Sequence, residues 1–151
     1  MQERDTYGKL LDQGEEFQDL VCHNLMRLGI SFYPYTSHRW QCEHGESANG
    51  IEVKHDMRLK ETGNLYIEVA ERRSEQGEFV PSGIMGDSWL FLIGDYERLY
   101  VFSTYQLQRY YQVELGGVPT VTTKTSKGFL LGPSERQRLS LRKPIKLEQP
   151  E

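Results

Sequence analysis

The sequence predicts a mixed α/β domain in which helices pack on a sheet of parallel and antiparallel strands, and three patterns carry that reading. Phe17, Leu20, Val21, Leu25 and Leu28 recur at helical spacing, which predicts a helix over Glu15 to Leu28 stopped by Gly29. Ile51, Val53 and His55 alternate with Glu52, Lys54 and Asp56, and Leu65, Ile67 and Val69 alternate with Tyr66, Glu68 and Ala70; both runs have the period of strands with one apolar face. Trp89 to Ile93 is apolar throughout, as the buried middle of a sheet requires.

The remaining elements follow from local chemistry. Thr62-Gly63-Asn64 supplies a turn between the two alternating runs. If those strands pair about it, Asp56 stands opposite Glu68 and Lys54 opposite Ala70, with all four on the polar face. A slip of one residue would bury the charges of one strand, so the register is expected to hold. Leu99 to Ser103 reads as a further strand and Thr104 to Leu115 as a helix opened by Thr104 and ended by Gly116-Gly117. Val118 to Thr123 and Phe129 to Leu131 are short strands by the same reasoning, and His44 to Gly50 has turn composition. The segment Ile30 to Gln41, aromatic and polar in alternation, fits a strand or an extended loop. One domain is expected over residues 1–143, with 144–151 a frayed tail holding Pro144 and Pro150.

Composition narrows the function classes. The chain has 151 residues, 37% of them hydrophobic and 26% charged, which excludes disorder throughout. No run approaches the roughly 20 apolar residues of a membrane span, and Met1 to Asp12 is charged rather than signal-like, so a cytoplasmic protein without membrane contact is expected. Cys22 and Cys42 should then be reduced thiols; a zinc site built from Cys22, Cys42 and His44 fits no ordinary ligand spacing. A net charge of −4 lends no global attraction for phosphates. The sign reverses locally, however. Lys124, Lys127, Arg136, Arg138, Arg142, Lys143 and Lys146 face only Glu135, Glu148 and Glu151 in that stretch, and this is either a solvated tail or a surface that follows a phosphate backbone, with Lys124, Lys127, Arg136 and Arg138 its nucleic-acid-binding candidates.

Phosphodiester hydrolysis needs a cation to neutralise charge developing on phosphoryl oxygens and to make water nucleophilic near neutral pH. Hard cations prefer carboxylate oxygens, one or two of them from the protein. Asp56 and Glu68 are the pair that the alternating strands offer, with Lys54 beside them. Because these residues stand on a polar face, replacing either acid with alanine should abolish cleavage and leave the fold intact.

The run GIEVKHD, then TGNLYIEVAE, PSGI and DSWLFLI, resembles small phage-encoded proteins of the PD-(D/E)XK nuclease superfamily, which carry comparable pieces in this order; TSKGFL at Thr125 to Leu130 is more weakly similar. The resemblance covers about half of the chain. It implies a restriction-endonuclease-like mixed sheet flanked by helices and a Mg²⁺-dependent endonuclease acting on nucleic acid, DNA in the first instance, with Mn²⁺ as a substitute. Asp56 would be the first metal-holding acid and Glu68 the second, Glu16 on the first helix would add a further metal or water contact, and Glu52 and Ser82 would be further site residues. The superfamily places lysine two positions after the second acid, and this chain has Ala70 there. Either the lysine has migrated to Lys54 or the domain does not cut. Residue by residue, the alternative is solvated surface acids, with Glu52 and Lys54 a same-face ion pair. The rival functions are a nucleic-acid-binding module on the same fold that no longer cuts, and an interaction or assembly protein, a homodimer among the options, whose helix with Tyr105, Tyr110 and Tyr111 forms an interface.

Overall fold

A computed structural model describes residues 16–31 and 50–149. The first helix, α1, runs over residues 16–27 and ends where Gly29 takes φ 75°. Phe17, Leu20, Val21 and Leu25 bury its apolar stripe. The segment 32–49, and with it the His44 turn, Cys42 and the zinc alternative, lies outside the described residues; Cys22 is half-buried against the core.

Two four-stranded sheets follow. The first has the order β1 (Ile51–His55), β4 (Leu90–Gly94), β5 (Arg98–Ser103), β8 (Ile145–Lys146). In it β1 runs parallel to β4, while β5 and β8 are antiparallel to their neighbours. The second is antiparallel throughout, in the order β3 (Val80–Pro81), β2 (Leu65–Glu71), β7 (Ser126–Leu131), β6 (Val121–Thr122). One face of the first sheet packs on α1 through Ile51, Val53, Leu92, Leu99 and Val101. The other meets the second sheet, where Phe91, Ile93 and Phe102 pack with Leu65, Ile67, Phe129 and Leu131. The mixed α/β expectation is met in this coarse form, with two sheets rather than one.

The expected hairpin is not formed. Strand β1 takes β4 as its parallel neighbour, pairing Lys54 with Ile93, and β2 instead takes β3 and β7, which sets Glu68 opposite Gly128 and Ala70 opposite Pro81 and Lys127. The cause is the connection. Leu59–Thr62 forms one helical turn, α2, which buries Leu59 and is closed by Gly63 at φ 73°. That detour carries the chain from one sheet to the other, where a tight turn would have returned it alongside β1. The apolar run of β4 meanwhile offers a two-faced partner.

Smaller differences have local causes. The helix after β5, α3 (Thr104–Arg109), is capped by Ser103, whose hydroxyl accepts from the Gln106 amide, and it continues as a π-helical turn over Tyr110–Glu114. Its expected end at Gly116-Gly117 holds, both at positive φ. Trp89, expected in the core, is 62% exposed with its ring over Gly50. The segment from Pro144, expected as a frayed tail, carries β8, and Ile145 and Leu147 are buried on the α1 side. The last helix, α4 (Pro133–Leu139), begins with proline in its first turn. Among the described residues no helix is long and apolar enough to cross a membrane.

Candidate functional site

A cavity of about 580 Å³ opens where the end of β1 meets β2, and Lys54, Asp56, Tyr66 and Glu68 all line it. The residues that the sequence places on one hairpin face are therefore brought together from two sheets. Apolar walls come from Phe91, Ile93, Val121 and Leu130.

Asp56 directly follows β1 and is only 8% exposed. Its Oδ1 accepts the Arg58 amide at 3.0 Å, an Asx turn that opens α2, and its Oδ2 accepts the Tyr66 amide of β2 at 2.8 Å. The carboxylate thus joins the two sheets. An ionised carboxylate offers about four acceptor sites, so each oxygen keeps one for another partner.

Glu68 is held between close backbone neighbours. A Cβ on Gly83, which has φ 59°, would lie 2.2 Å from the Glu68 carbonyl oxygen, and one on Gly128 would lie 2.2 Å from that of Ile67. These glycines let the 3-10 turn Gly83–Met85 and strand β7 close on β2 at this residue. A β-bulge falls between Glu68 and Ala70 and re-aims the strand beyond the acid. Ser126 Oγ donates to Glu68 Oε1 at 2.8 Å, and Tyr66 Oη lies 2.6 Å from the same Ser126 oxygen. Serine has one hydroxyl proton, so the tyrosine must donate to it, giving the directed chain Tyr66 to Ser126 to Glu68. Burial is the largest influence on the Glu68 carboxyl and pushes it up from 4.5; Ser126 and the Lys54 charge oppose this, Glu71 adds to it, and Ser82 opposes it weakly. Burial also raises the Tyr66 phenol, with the Glu68 charge contributing.

Lys54 has Glu52 within 3.3 Å. Glu52 is 7% exposed, not the solvated partner that an exposed ion pair implies, and it also accepts from Ser88 Oγ at 3.4 Å, which contacts Thr104 Oγ1 at 3.1 Å. Lys54 therefore pairs with a buried acid of its own strand, and its charge also acts on Glu68 across the cavity they both line. Ser82 donates its backbone amide to Val69 O at 3.1 Å; its buried hydroxyl lies near enough to Glu68 to favour the ionised form slightly, but it completes no well-formed hydrogen bond among the described residues.

Glu16 is not among the residues that line this cavity. It is exposed, and its charge, after burial, raises the Tyr96 phenol, whose ring packs against Phe17 and His55 on the α1 side. His55 also borders the cavity; burial lowers it below 6.5 against the opposing charges of Asp56 and Asp95. Among the described residues no group of three or more His, Cys, Asp or Glu side chains could hold a metal ion.

The basic candidates divide between two places. Lys124 pairs with Glu75 at 3.2 Å, and Lys127 shares the Phe79 ring with Arg72, each 4.4 Å from its centroid. Arg136 and Arg138 lie on α4, the first over Tyr100 at 4.6 Å and the second bonded to both oxygens of Glu114 at 3.2 and 2.9 Å. Sequence reasoning had put Tyr66 on the polar face without a role and Ser126 only in the weakly similar TSKGFL run; their link to Glu68 depends on β2 pairing with β7.

Comparison with family models, with curated proteins and with solved structures finds no match. The class that fold and site define is therefore a mixed α/β domain with a carboxylate-lysine cavity at the junction of its two sheets.

Proposed function

We propose that this cavity hydrolyses phosphodiester bonds of nucleic acid, DNA in the first instance, as a divalent-cation-dependent endonuclease of the restriction-endonuclease-like type. The observation that carries the reading is the convergence of Asp56, Glu68 and Lys54 in one cavity although their strands belong to different sheets. The donor set suits Mg²⁺ or Mn²⁺. Magnesium takes one or two protein carboxylates and keeps several waters, so two acids suffice without a third. Glu68 is a desolvated carboxylate with Ser126 on one oxygen, and the unsatisfied Ser82 hydroxyl beside it is suited to a metal-bound water.

Asp56 and Glu68 would hold the ion, which supplies charge neutralisation at the phosphoryl group and lowers the pKa of a bound water. Lys54 holds a positive charge beside Glu68, the role that Ala70 cannot fill, so the lysine has moved to another strand. Tyr66 and Ser126 fix the Glu68 carboxylate and give it a hydrogen-bonded path for a proton. A second reading, a binding module that does not cut, is favoured by the two backbone amides on Asp56, which alone explain its burial as a structural joint.

The test is cleavage by the purified chain on single-stranded, duplex and branched DNA and on RNA, with Mg²⁺ or Mn²⁺. Glu68→Gln keeps an acceptor for Ser126 and should lower the rate by about 10²–10³-fold, and Lys54→Gln by a comparable factor. A wild type that cuts none of these substrates, or a Glu68→Gln protein that cuts at the wild-type rate, sinks the reading.

A further inference from the structure

A second concavity lies on the other side of the Gly63 turn. It has a volume of about 420 Å³, and Arg136, Arg142, Lys143, Ser140 and Tyr100 are among its lining residues. No carboxylate lines it. From Pro133 to Leu147 the chain carries five cations against one acid, Glu135, so a net-acidic protein concentrates positive charge here. The pocket is also ordered from within. The Arg136 guanidinium lies over the Tyr100 ring at 4.6 Å and donates through Nη1 to Gly63 O at 3.0 Å. Arg142 Nε donates to Lys143 O at 3.1 Å. Each contact spends one part of a guanidinium that carries five N–H groups, which leaves a fixed fork suited to two oxygens of one anion. Pro133 and Pro144 limit the backbone on both sides.

The position relates this pocket to the first cavity. Arg136 holds the carbonyl of Gly63, and the two neighbours of that glycine, Thr62 and Asn64, line the cavity of Asp56 and Glu68. The Arg136 to Gly63 bond thus ties the two concavities to one turn.

We propose that Arg136, Arg142 and Lys143 form a phosphate-binding pocket that holds the backbone of a polynucleotide next to the cavity; this rests on the nucleic-acid reading above, though not on cleavage. Phosphate contacts position the strand and carry no sequence information, so the pocket governs affinity and register.

The experiment reads binding and cutting separately. Fluorescence anisotropy of a labelled single-stranded oligonucleotide and of its duplex is measured without divalent metal across a salt series, for wild type, Glu68→Gln and the pair Arg142→Glu with Lys143→Glu. These two residues are exposed, and far-UV circular dichroism checks that the fold survives. The charge-reversed protein should bind about tenfold or more weakly, and the slope of log affinity against log salt should fall by about 2. Glu68→Gln, which removes a negative charge from the first cavity, should bind no more weakly than wild type and keep its salt slope. Unchanged affinity and slope in the charge-reversed protein overturn the pocket, as does competition by inorganic phosphate as effective, per phosphate, as by unlabelled strand. So does a wild type that binds neither probe. A wild type that binds through this pocket yet cuts nothing overturns the hydrolytic reading alone.

Discussion

At the scale of single residues, Asp56 and Glu68 differ in what they do for the fold. Asp56 accepts two backbone amides that join β1, α2 and β2, so alanine there leaves two partly buried donors without their partner, contrary to the expectation that it could be removed without structural cost. Glu68 is the opposite case, a carboxyl that the fold desolvates. Its folded value lies above 4.5, so the native state keeps the proton to higher pH than the unfolded chain does. The stability this contributes is fully present below the unfolded value and is lost as pH rises through the folded one. Thermal midpoints of wild type and Glu68→Gln, compared from acid to neutral pH, should favour wild type most in acid and converge, or cross, as pH rises. A difference independent of pH would show that burial does not perturb this carboxyl. Cleavage should have the opposite slope, increasing with pH as Glu68 ionises.

At the scale of elements, two glycines in the same handedness have different reasons for it. Gly63 ends α2 at φ 73° with nothing within 4 Å of an added Cβ, so Gly63→Ala should cost only the left-handed strain, about 1–2 kcal/mol. Gly83 has φ 59° and would drive its Cβ into the Glu68 backbone, so Gly83→Ala should cost more than Gly63→Ala and displace β2 at the acid as well. Denaturant midpoints measure both. Equal losses would mean that the close approach of the 3-10 turn to β2 does not constrain the site. The PSGI run is in this sense a packing device: Ser82 bonds Val69 and Gly83 fits against Glu68.

At the scale of the whole molecule, the cavity exists because two sheets meet, and the layer between them holds it open. Phe129 is fully buried there and stacks on Tyr111 with ring centroids 5.7 Å apart. Phe129→Ala should destabilise by about 3–5 kcal/mol. Far-UV circular dichroism and tryptophan fluorescence should lose their signals in one transition, since the first sheet packs on α1 and on the second sheet at once. Two separated transitions would show that the α1 side folds on its own.

Local periodicity was enough to read α1, β1, β2, β4 and β5 from the sequence, because each has an apolar stripe or face whose spacing matches one backbone geometry. It also put Asp56, Glu68 and Lys54 on the polar faces of otherwise apolar strands, though there they stand with Glu52 and Tyr66, and it was the resemblance in motif order that set them apart. Which strands pair was not legible: β1 with β4 and β2 with β7 are contacts across long stretches of chain, decided by the α2 detour and by the burial of both faces of β4. The Tyr66 to Ser126 to Glu68 chain and the pocket beside Gly63 follow from that pairing, so only the tertiary structure could assemble them. The acids arrive at one cavity by a route other than the hairpin, because period-2 alternation determines which face a side chain takes while strand pairing determines what that face meets.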